Sequence, residues 1–214
     1  MDNSHKSVEE VIRQRRSTRS FSKEIPPQED LKKIVESAVY APYGGATGIP
    51  LNELRKIFVF RQHTEPMTQV QEIMLAQLRK NAKKIKRVLT FLPFLRKKMQ
   101  AFSHKLNGMA KGGIPALNHG AYFLVIAEKK GFPPIEKQSM AHAMENMWLT
   151  ATDLGLGFQL VSATSTLTKN EDFLKLLGLK KGEYDFDGCV IGYPKSTADR
   201  SKEFDTDSFV TWFE

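Results

Sequence analysis

An uninterrupted apolar run, AYFLVIA at residues 121–127, constrains the fold of this chain more than any other feature. A run of this length, followed by charged residues and rich in aromatic and β-branched side chains, predicts a fully buried strand. Shorter runs at 55–61, 158–162 and 186–194 predict further strands, and helical patterns separate them. This mixed order indicates an α+β or α/β fold whose central sheet, of about four or five strands, is covered by helices.

Capping and spacing signals predict the helices. Ser7 stands three residues before Glu10, a capping box that opens a first helix and brings arginines to its far end. A second amphipathic helix follows Pro27, and a long helix begins after Pro134 and ends near Gly155. The segment NEDFLKLLG predicts one more short helix between the last two strands.

Length and composition favour a single domain. With 214 residues, of which 41% are hydrophobic, the chain can bury one sizeable core. Cys189 is the only cysteine, so the chain can form no internal disulfide, thiol redox pair or thiolate zinc site, and redox chemistry would need a bound cofactor. Because the N-terminus lacks the apolar run of a secretory signal, we expect a cytoplasmic location.

The positive charge is concentrated in one segment. Residues 73–127 contain eleven Lys or Arg and no Asp or Glu, so the rest of the chain is negative by three although the whole carries +8. Helical spacing predicts two basic helices, at about 67–111, that are broken near Pro93.

Three interpretations of this basic segment remain open. The simplest is a solvated face of two surface helices. The second is a funnel that attracts anionic substrates. The third is an interfacial helix pair on anionic lipid, although apolar residues of such helices can equally pack inward. We expect no nucleic-acid partner.

The segment RRSTRSF at residues 15–21 is the strongest local signal for a binding site. It places three guanidinium groups and several hydroxyls where a helix ends. Arginine forks match phosphate oxygens and hydroxyls add neutral donors, so the pattern indicates an organic phosphate ligand. The alternative is a solvated basic helix end that complements the helix dipole.

Four motifs, in order, resemble those of the nitroreductase family. RRSTRSF is similar to the family's R-R-S-x-R-x-F pattern, and Ala41-Pro42 follows at the expected interval. MENMWLTATDLGLGFQLVS is similar to a family segment with L-G-L-G before a strand, and LLGLKKGEYDFDGCVIGYP resembles the family's I-G-Y-P ending. The matches run from about Glu10 to Pro194, apart from the middle, and the resemblance implies that this divergent basic region, at about 67–111, is a helical lid. Tyr43 stands where the family usually has a serine.

The resemblance implies a fold and an assembly. The fold is a three-layer α+β sandwich with a central, mostly antiparallel sheet flanked by helices, forming one domain over residues 1–214. The assembly is an entwined homodimer with one FMN at each end of the shared interface. The residues that this implies at the phosphate, ribityl chain and ring edge are Arg15, Arg16, Ser17 and Arg19.

Further residues follow from the same resemblance. Tyr43 and Gly44 would approach the flavin from the partner subunit. The residues implied along one face of the isoalloxazine are Ser162, Ala163 and Thr164. Arg200 and Lys202 would be additional phosphate-binding cations.

The resemblance also implies the chemistry. FMN would take hydride from NADH or NADPH and reduce a small acceptor such as a nitroaromatic or a quinone. Backbone N–H groups would stabilise the reduced flavin, so no catalytic side chain is predicted. Two alternatives remain. One is another flavin reaction on the same fold: dehalogenation, flavin breakdown or heterocycle dehydrogenation. The other is a non-enzymatic basic module that binds nucleic acid or a membrane.

Other motifs give weaker indications. Gly155 and Gly157 follow a helix and lack the third glycine of a dinucleotide fingerprint, so they indicate a helix stop. His142 lies one turn from Glu145 without a second histidine at zinc spacing, so no metal site is predicted. Trp212 and Phe213 would anchor the tail on the other subunit.

Overall fold

The computed structural model describes residues 6–43, 48–196 and 204–213. Three of the predicted site residues, Gly44, Arg200 and Lys202, lie outside these ranges. The chain folds around one antiparallel sheet, and within the described residues its strands are β1 (Arg55–Arg61), β2 (Tyr122–Lys129), β3 (Gly157–Leu160) and β4 (Tyr184–Gly192).

The helices form where the capping and spacing signals predict them. They are α1 (Val8–Gln14), α2 (Gln28–Val39), α3 (Leu51–Leu54), α4 (Glu65–Phe91), α5 (Arg96–Gly112), α6 (Pro115–His119), α7 (Glu136–Asp153) and α8 (Glu171–Leu177). The capping box of α1 is present, since the Ser7 hydroxyl accepts from Glu10 N and the Glu10 carboxylate accepts from Ser7 N. The short helices α3 and α6 were not predicted, because four or five residues are too few to show a helical period.

The strands are ordered β1-β2-β4-β3, and every pairing between them is antiparallel. The prediction of an α+β fold with a mostly antiparallel sheet is therefore confirmed. Strand β2 is central and buried from Tyr122 to Glu128, as its apolar run indicates. Side chains alternate across a strand, so β2 sends Phe123 and Val125 to one face and Leu124 and Ile126 to the other.

Each face of the sheet is covered by its own helical layer. On the first face the core contains Phe123, Val125 and side chains of α4, α5 and α8. On the second face Leu124 and Ile126 pack with α2 and α7. These two cores make the three layers of a sandwich, and their buried side chains supply most of the hydrophobic stabilisation.

Helices α4 and α5 form a basic hairpin, residues 65–112, that is broken where the proline predicts. Pro93–Leu95 is a short 3-10 turn between the two helices. The Arg96 Nε atom donates to Leu89 O at 3.0 Å near this turn, and the Arg79 Nε atom donates to Ala110 O at 3.2 Å nearer the sheet. No helix in the described parts of the chain combines the length and the apolar character that crossing a bilayer requires.

Candidate functional site

The arginine-rich segment after α1 is fixed to the edge strand of the sheet. Ser17 pairs with Phe158 of β3 in a parallel bridge, and Thr18 N donates to Phe158 O at 2.9 Å. The Trp148 indole Nε1 atom of α7 donates to Arg16 O at 3.0 Å. The backbone of this segment is therefore held by β3 on one side and by α7 on the other.

The segment is fixed again where it leaves the site. Phe21 is buried and pairs with Pro194, and Ser22 N donates to Tyr193 O at 2.8 Å. Arg19 and Ser20 lie between the two anchors, and both are exposed, as is Ser17 at the first anchor. The chain thus holds a rigid backbone while leaving a guanidinium and two hydroxyls free to face a ligand.

A glycine allows this close approach. A Cβ atom on Gly157 would lie 2.6 Å from Thr18 Cγ2, well inside van der Waals contact. The sequence indicated Gly157 only as part of a helix stop. Its further role is to let the arginine segment pack directly against β3.

Arg15 is oriented by α7. Its guanidinium lies 4.2 Å from the centre of the Trp148 ring, a cation–π contact, and its Nε atom is 3.4 Å from Glu145 Oε1. Trp148 in turn stacks on Phe158, with 4.9 Å between ring centres. Glu145, which the sequence places one turn from His142, therefore serves an ion pair, and the described residues contain no cluster of metal-ligating side chains.

Arg16 has a structural use. Its Nη1 atom donates to Arg13 O at 2.8 Å and also to Arg15 O, closing the end of α1. These bonds satisfy carbonyls that a helix end leaves without intrahelical donors. The predicted set of arginines thus divides, since Arg16 shapes the backbone while Arg15 and Arg19 present their guanidinium groups.

The opposite end of β3 carries the second group of predicted residues. Val161 N donates to Gly188 O at 2.7 Å, and the 3-10 turn Ser162–Leu167 follows. Ser162 is exposed and Ala163 is partly buried, whereas Thr164 is buried with its Oγ1 atom donating to Val161 O at 2.7 Å. Ser162 and Ala163 can therefore face a ligand, and Thr164 stabilises the turn.

The two groups lie along one strand. Ser17 is beside Phe158, and Ser162 follows four residues later, a separation of about 13 Å at the usual rise of an extended strand. Between them the side-chain Oε1 atom of Gln159 is buried and accepts no hydrogen bond from the residues described. This arrangement suits an elongated ligand with a terminal phosphate. It has cationic donors at one end, a buried acceptor in the middle and a turn with an exposed serine hydroxyl at the other end.

These observations test whether FMN fits the residues present. Arg15, Arg19 and the hydroxyls of Ser17 and Ser20 are the donors that a phosphate monoester requires. Gln159 Oε1 can accept from a ribityl hydroxyl, and the Ser162 turn can face a ring. The donor set fits FMN.

The Ala41-Pro42 loop is held by a buried ion pair that the sequence reasoning missed. The Arg55 Nε atom lies 2.5 Å from Glu128 Oε1, and the Arg55 Nη1 atom donates to Ala41 O at 2.9 Å. The Tyr43 hydroxyl donates to Lys129 O at 3.2 Å, so this side chain contacts its own subunit. The sequence signal for this pair is that Arg55 begins one apolar run and Glu128 directly follows another.

A cleft of about 420 Å³ opens beside the Ser162 turn, between α7 and β4. Its lining includes Ser162, Met140 and Asp187. Burial raises the pKa of the Asp187 carboxyl, although the Gly188 N–H, which donates to it at 2.8 Å, lowers this pKa in part. Asp187 lies inside the predicted motif FDGCVIGYP, but its place in a cleft depends on the packing of α7.

Comparison with known proteins gives the same architecture. A nitroreductase with bound FMN from Bacteroides fragilis NCTC 9343 is 19% identical, over 98% of this chain and 100% of that one, with a TM-score of 0.71. The FMN- and NADPH-dependent nitroreductase NfnB from Sphigopyxis sp. strain HMH is 16% identical, over 98% and 100%, with a TM-score of 0.68.

A third similar structure holds a halogenated aromatic amino acid beside FMN. Iodotyrosine deiodinase bound to FMN and 3-iodo-L-tyrosine is 18% identical, over 93% of this chain and 96% of that one, with a TM-score of 0.63. At these identities the likeness shows a shared fold. Comparison with curated protein sequences gave no match.

The family assignment rests on the sequence. The model of the nitroreductase family matches residues 12–193, which include the arginine segment, both ends of β3 and the final strand. This range covers most of the chain and agrees with the motif resemblance in the sequence and with the three-layer fold. The chain belongs to the nitroreductase family.

Proposed function

We propose that this protein is an FMN-dependent oxidoreductase that takes hydride from NADH or NADPH and reduces nitroaromatic, quinone or related conjugated acceptors. The observation that carries the proposal is the cradle along β3, with Arg15 and Arg19 at one end and the Ser162 turn at the other. Membership of the nitroreductase family and the FMN described in related structures support it.

In this proposal the arginine segment binds the phosphate end of FMN. Arg15 and Arg19 would hold the phosphate with Ser17, while Arg16 fixes the backbone from which they project. Gln159 would accept from the ribityl chain. Ser162 and Ala163 would line the ring, and Thr164 would keep their turn in place.

The remaining predicted contacts come from loops. Tyr43 and Gly44 would approach the flavin bound to the partner subunit. Arg200 and Lys202 would add positive charge near the phosphate. Anchoring of Ala41 by Arg55 supports a fixed position for the chain that leads to Tyr43, since a rigid element orients a site better than a mobile one.

FMN, when bound, supplies the chemistry of accepting hydride and passing electrons to the acceptor. The chain positions the ring and offers backbone N–H groups to it at the start of the Ser162 turn. Electrostatic stabilisation of this kind needs no side-chain general base. We therefore assign no side chain to a proton-transfer step.

We propose a homodimer because several apolar side chains are left without cover. On the helical layer Tyr40 is 78% exposed, and in the tail Trp212 is 80% and Phe213 is 94% exposed. Large apolar side chains left exposed in this way are typical of subunit interfaces. A second copy of the chain would bury the tail and bring the Tyr43 loop to the flavin.

A second reaction is supported by one comparison. Iodotyrosine deiodinase shares the fold and binds FMN with a halogenated aromatic amino acid. Reductive dehalogenation therefore stands beside acceptor reduction as a candidate. A substrate of either kind would have to fit beside the cleft near Ser162, whose charged lining residues are Lys137, Asp185 and Asp187.

The visible absorption spectrum of the purified protein tests the proposal. Oxidised-flavin bands, with FMN released on denaturation and bleaching on anaerobic addition of NADH or NADPH, are expected. Turnover with a nitroaromatic, a quinone and 3-iodotyrosine then distinguishes the reactions. A colourless protein that takes up no added FMN would contradict the proposal.

A further inference from the structure

The basic hairpin carries unbalanced positive charge on an exposed surface. Its eleven lysines and arginines, between Arg79 and Lys111, are all exposed, and no acidic residue lies among them. None of the eleven takes part in an ion pair with another described residue. A surface of one sign attracts an anionic partner and repels a second copy of itself.

The hairpin tip, Phe91–Phe94, is apolar and also exposed. Phe91 is 81% and Phe94 is 75% exposed, and Leu92 between them is exposed as well. Inward packing, which the sequence left open for these helices, is complete near the sheet, where Leu78 and Leu106 are buried, and partial toward the tip, where Leu89 and Leu95 are half-buried. The hairpin is thus anchored at its base and presents aromatic side chains at its far end.

A groove of about 700 Å³ runs along the hairpin between α4 and α5. Apolar side chains, Ala82 and Leu89 among them, form part of its lining. The cations that line it are Arg79, Lys83, Lys86, Arg96 and Lys111. Cationic and apolar groups that line one groove can receive an anionic headgroup together with part of its apolar chain.

We propose that the basic hairpin docks on the surface of an anionic lipid bilayer. Phe91, Leu92 and Phe94 enter the interfacial layer, and the flanking lysines and arginines contact acidic headgroups. Aromatic residues beside a cationic helix face are the combination that interfacial elements use. A nucleic acid would be attracted by the cations, but it offers no interior for three exposed apolar side chains at the tip.

Docking would also attach the proposed flavin site to the bilayer through the hairpin. The Asn81 Nδ2 atom of α4 donates to Thr166 Oγ1 at 3.4 Å, which joins the hairpin to the turn that carries Ser162. The proposal does not depend on the reaction of the flavin, because binding is measured without turnover.

The test is co-sedimentation of the full protein, with the cofactor it carries, on phosphatidylcholine vesicles with and without phosphatidylglycerol. We expect binding only when phosphatidylglycerol is present, and release as salt is added. The double variant Phe91→Ser/Phe94→Ser should lose this binding. Phe132→Ser, which alters a phenylalanine that is 95% exposed outside the hairpin, should keep it.

Charge variants complete the test. Replacing Lys83, Lys84 and Lys86 with glutamine should abolish binding, whereas glutamine at Lys23, Lys175 and Lys180 should not. Failure of the unaltered protein to bind phosphatidylglycerol vesicles would overturn the proposal. Equal binding by the phenylalanine variant, with duplex DNA competing for the same surface, would instead indicate a nucleic-acid site and would also overturn it.

A separate measurement distinguishes bilayer docking from a lid over the flavin. Under bilayer docking, the phenylalanine double variant keeps the unaltered protein's rate of flavin reduction in solution. Loss of this rate with vesicle binding retained would identify the tip as a lid and would contradict the proposal.

Discussion

Arg55 and Glu128 face each other across β1 and β2, and the Arg55 Nε atom lies 2.5 Å from Glu128 Oε1. Only 2% of the Arg55 side chain and none of the Glu128 side chain is exposed. The same guanidinium donates to Ala41 O and to Ser139 Oγ. One cross-strand pair thereby joins the sheet, the Ala41-Pro42 loop and α7.

Removing one member of this pair should be costly. In Glu128→Leu the Arg55 charge stays buried without its carboxylate, so we expect the free energy of unfolding to fall by about 3–5 kcal/mol. Urea denaturation measures this loss. The double variant Arg55→Met/Glu128→Leu should recover part of it, since no charge is left buried, although Ala41 O then lacks its donor. Additive losses in the double variant would show that the two residues are not coupled.

The arginine segment should control retention of FMN. Replacing Arg15 and Arg19 with alanine removes charged donors, each hydrogen bond from which contributes about 1.5–3 kcal/mol. We therefore expect the dissociation constant for FMN to rise by at least about tenfold, measured by fluorescence on titration. The control variant Arg13→Ala/Arg61→Ala removes the same charge from two exposed positions and should leave the dissociation constant for FMN unchanged. Equal affinities in the two double variants would remove Arg15 and Arg19 from the site.

Gly157 should tolerate no side chain. In Gly157→Ala the new Cβ atom meets Thr18 at 2.6 Å, so the arginine segment must move away from β3. We expect a loss of about 1–3 kcal/mol in the free energy of unfolding and weaker retention of FMN. Gly108→Ala on α5, where no atom lies within 4 Å of the new Cβ, is the control and should lose neither. Normal FMN binding by Gly157→Ala would mean that the segment need not lie against β3.

The Asp187 carboxyl should affect stability at acid pH. Burial raises its pKa above the ordinary value of 3.8, so the folded state binds the proton more tightly than the unfolded state. Its contribution to stability is therefore largest below pH 3.8 and is lost as pH rises through the folded-state pKa. As pH rises from 3.8 through the folded-state pKa, the free energy of unfolding of the unaltered protein should fall relative to that of Asp187→Asn. Parallel pH profiles for the two proteins would contradict the assigned direction.

The exposed tail should determine the oligomeric state. The variant Trp212→Ser/Phe213→Ser removes the apolar side chains that we place on the partner. We therefore expect it to dissociate to monomers at higher protein concentrations than the unaltered protein does. Light scattering after size exclusion measures this change. Phe132→Ser, an equally exposed aromatic outside the proposed interface, should not alter the mass. A monomeric unaltered protein would refute the homodimer.

The sequence by itself determined the elements and indicated one candidate binding segment. The apolar run at 121–127 became the buried strand β2, Pro93 separated α4 from α5, and Ser7 with Glu10 opened α1. These features follow from side-chain period, proline geometry and capping, which act within a few residues and are therefore visible in a short window. The arginine motif was visible for the same reason.

Only the tertiary structure decided which distant residues meet. The order β1-β2-β4-β3, the stacking of Arg15 on Trp148 and the pairing of Arg55 with Glu128 join parts of the chain far apart in sequence. It also decided that Arg16 closes a helix while Arg19 is exposed. Such contacts depend on the packing of whole layers. A charged residue at the end of an apolar run can pair with a residue on another strand only when the register of the two strands places them opposite each other.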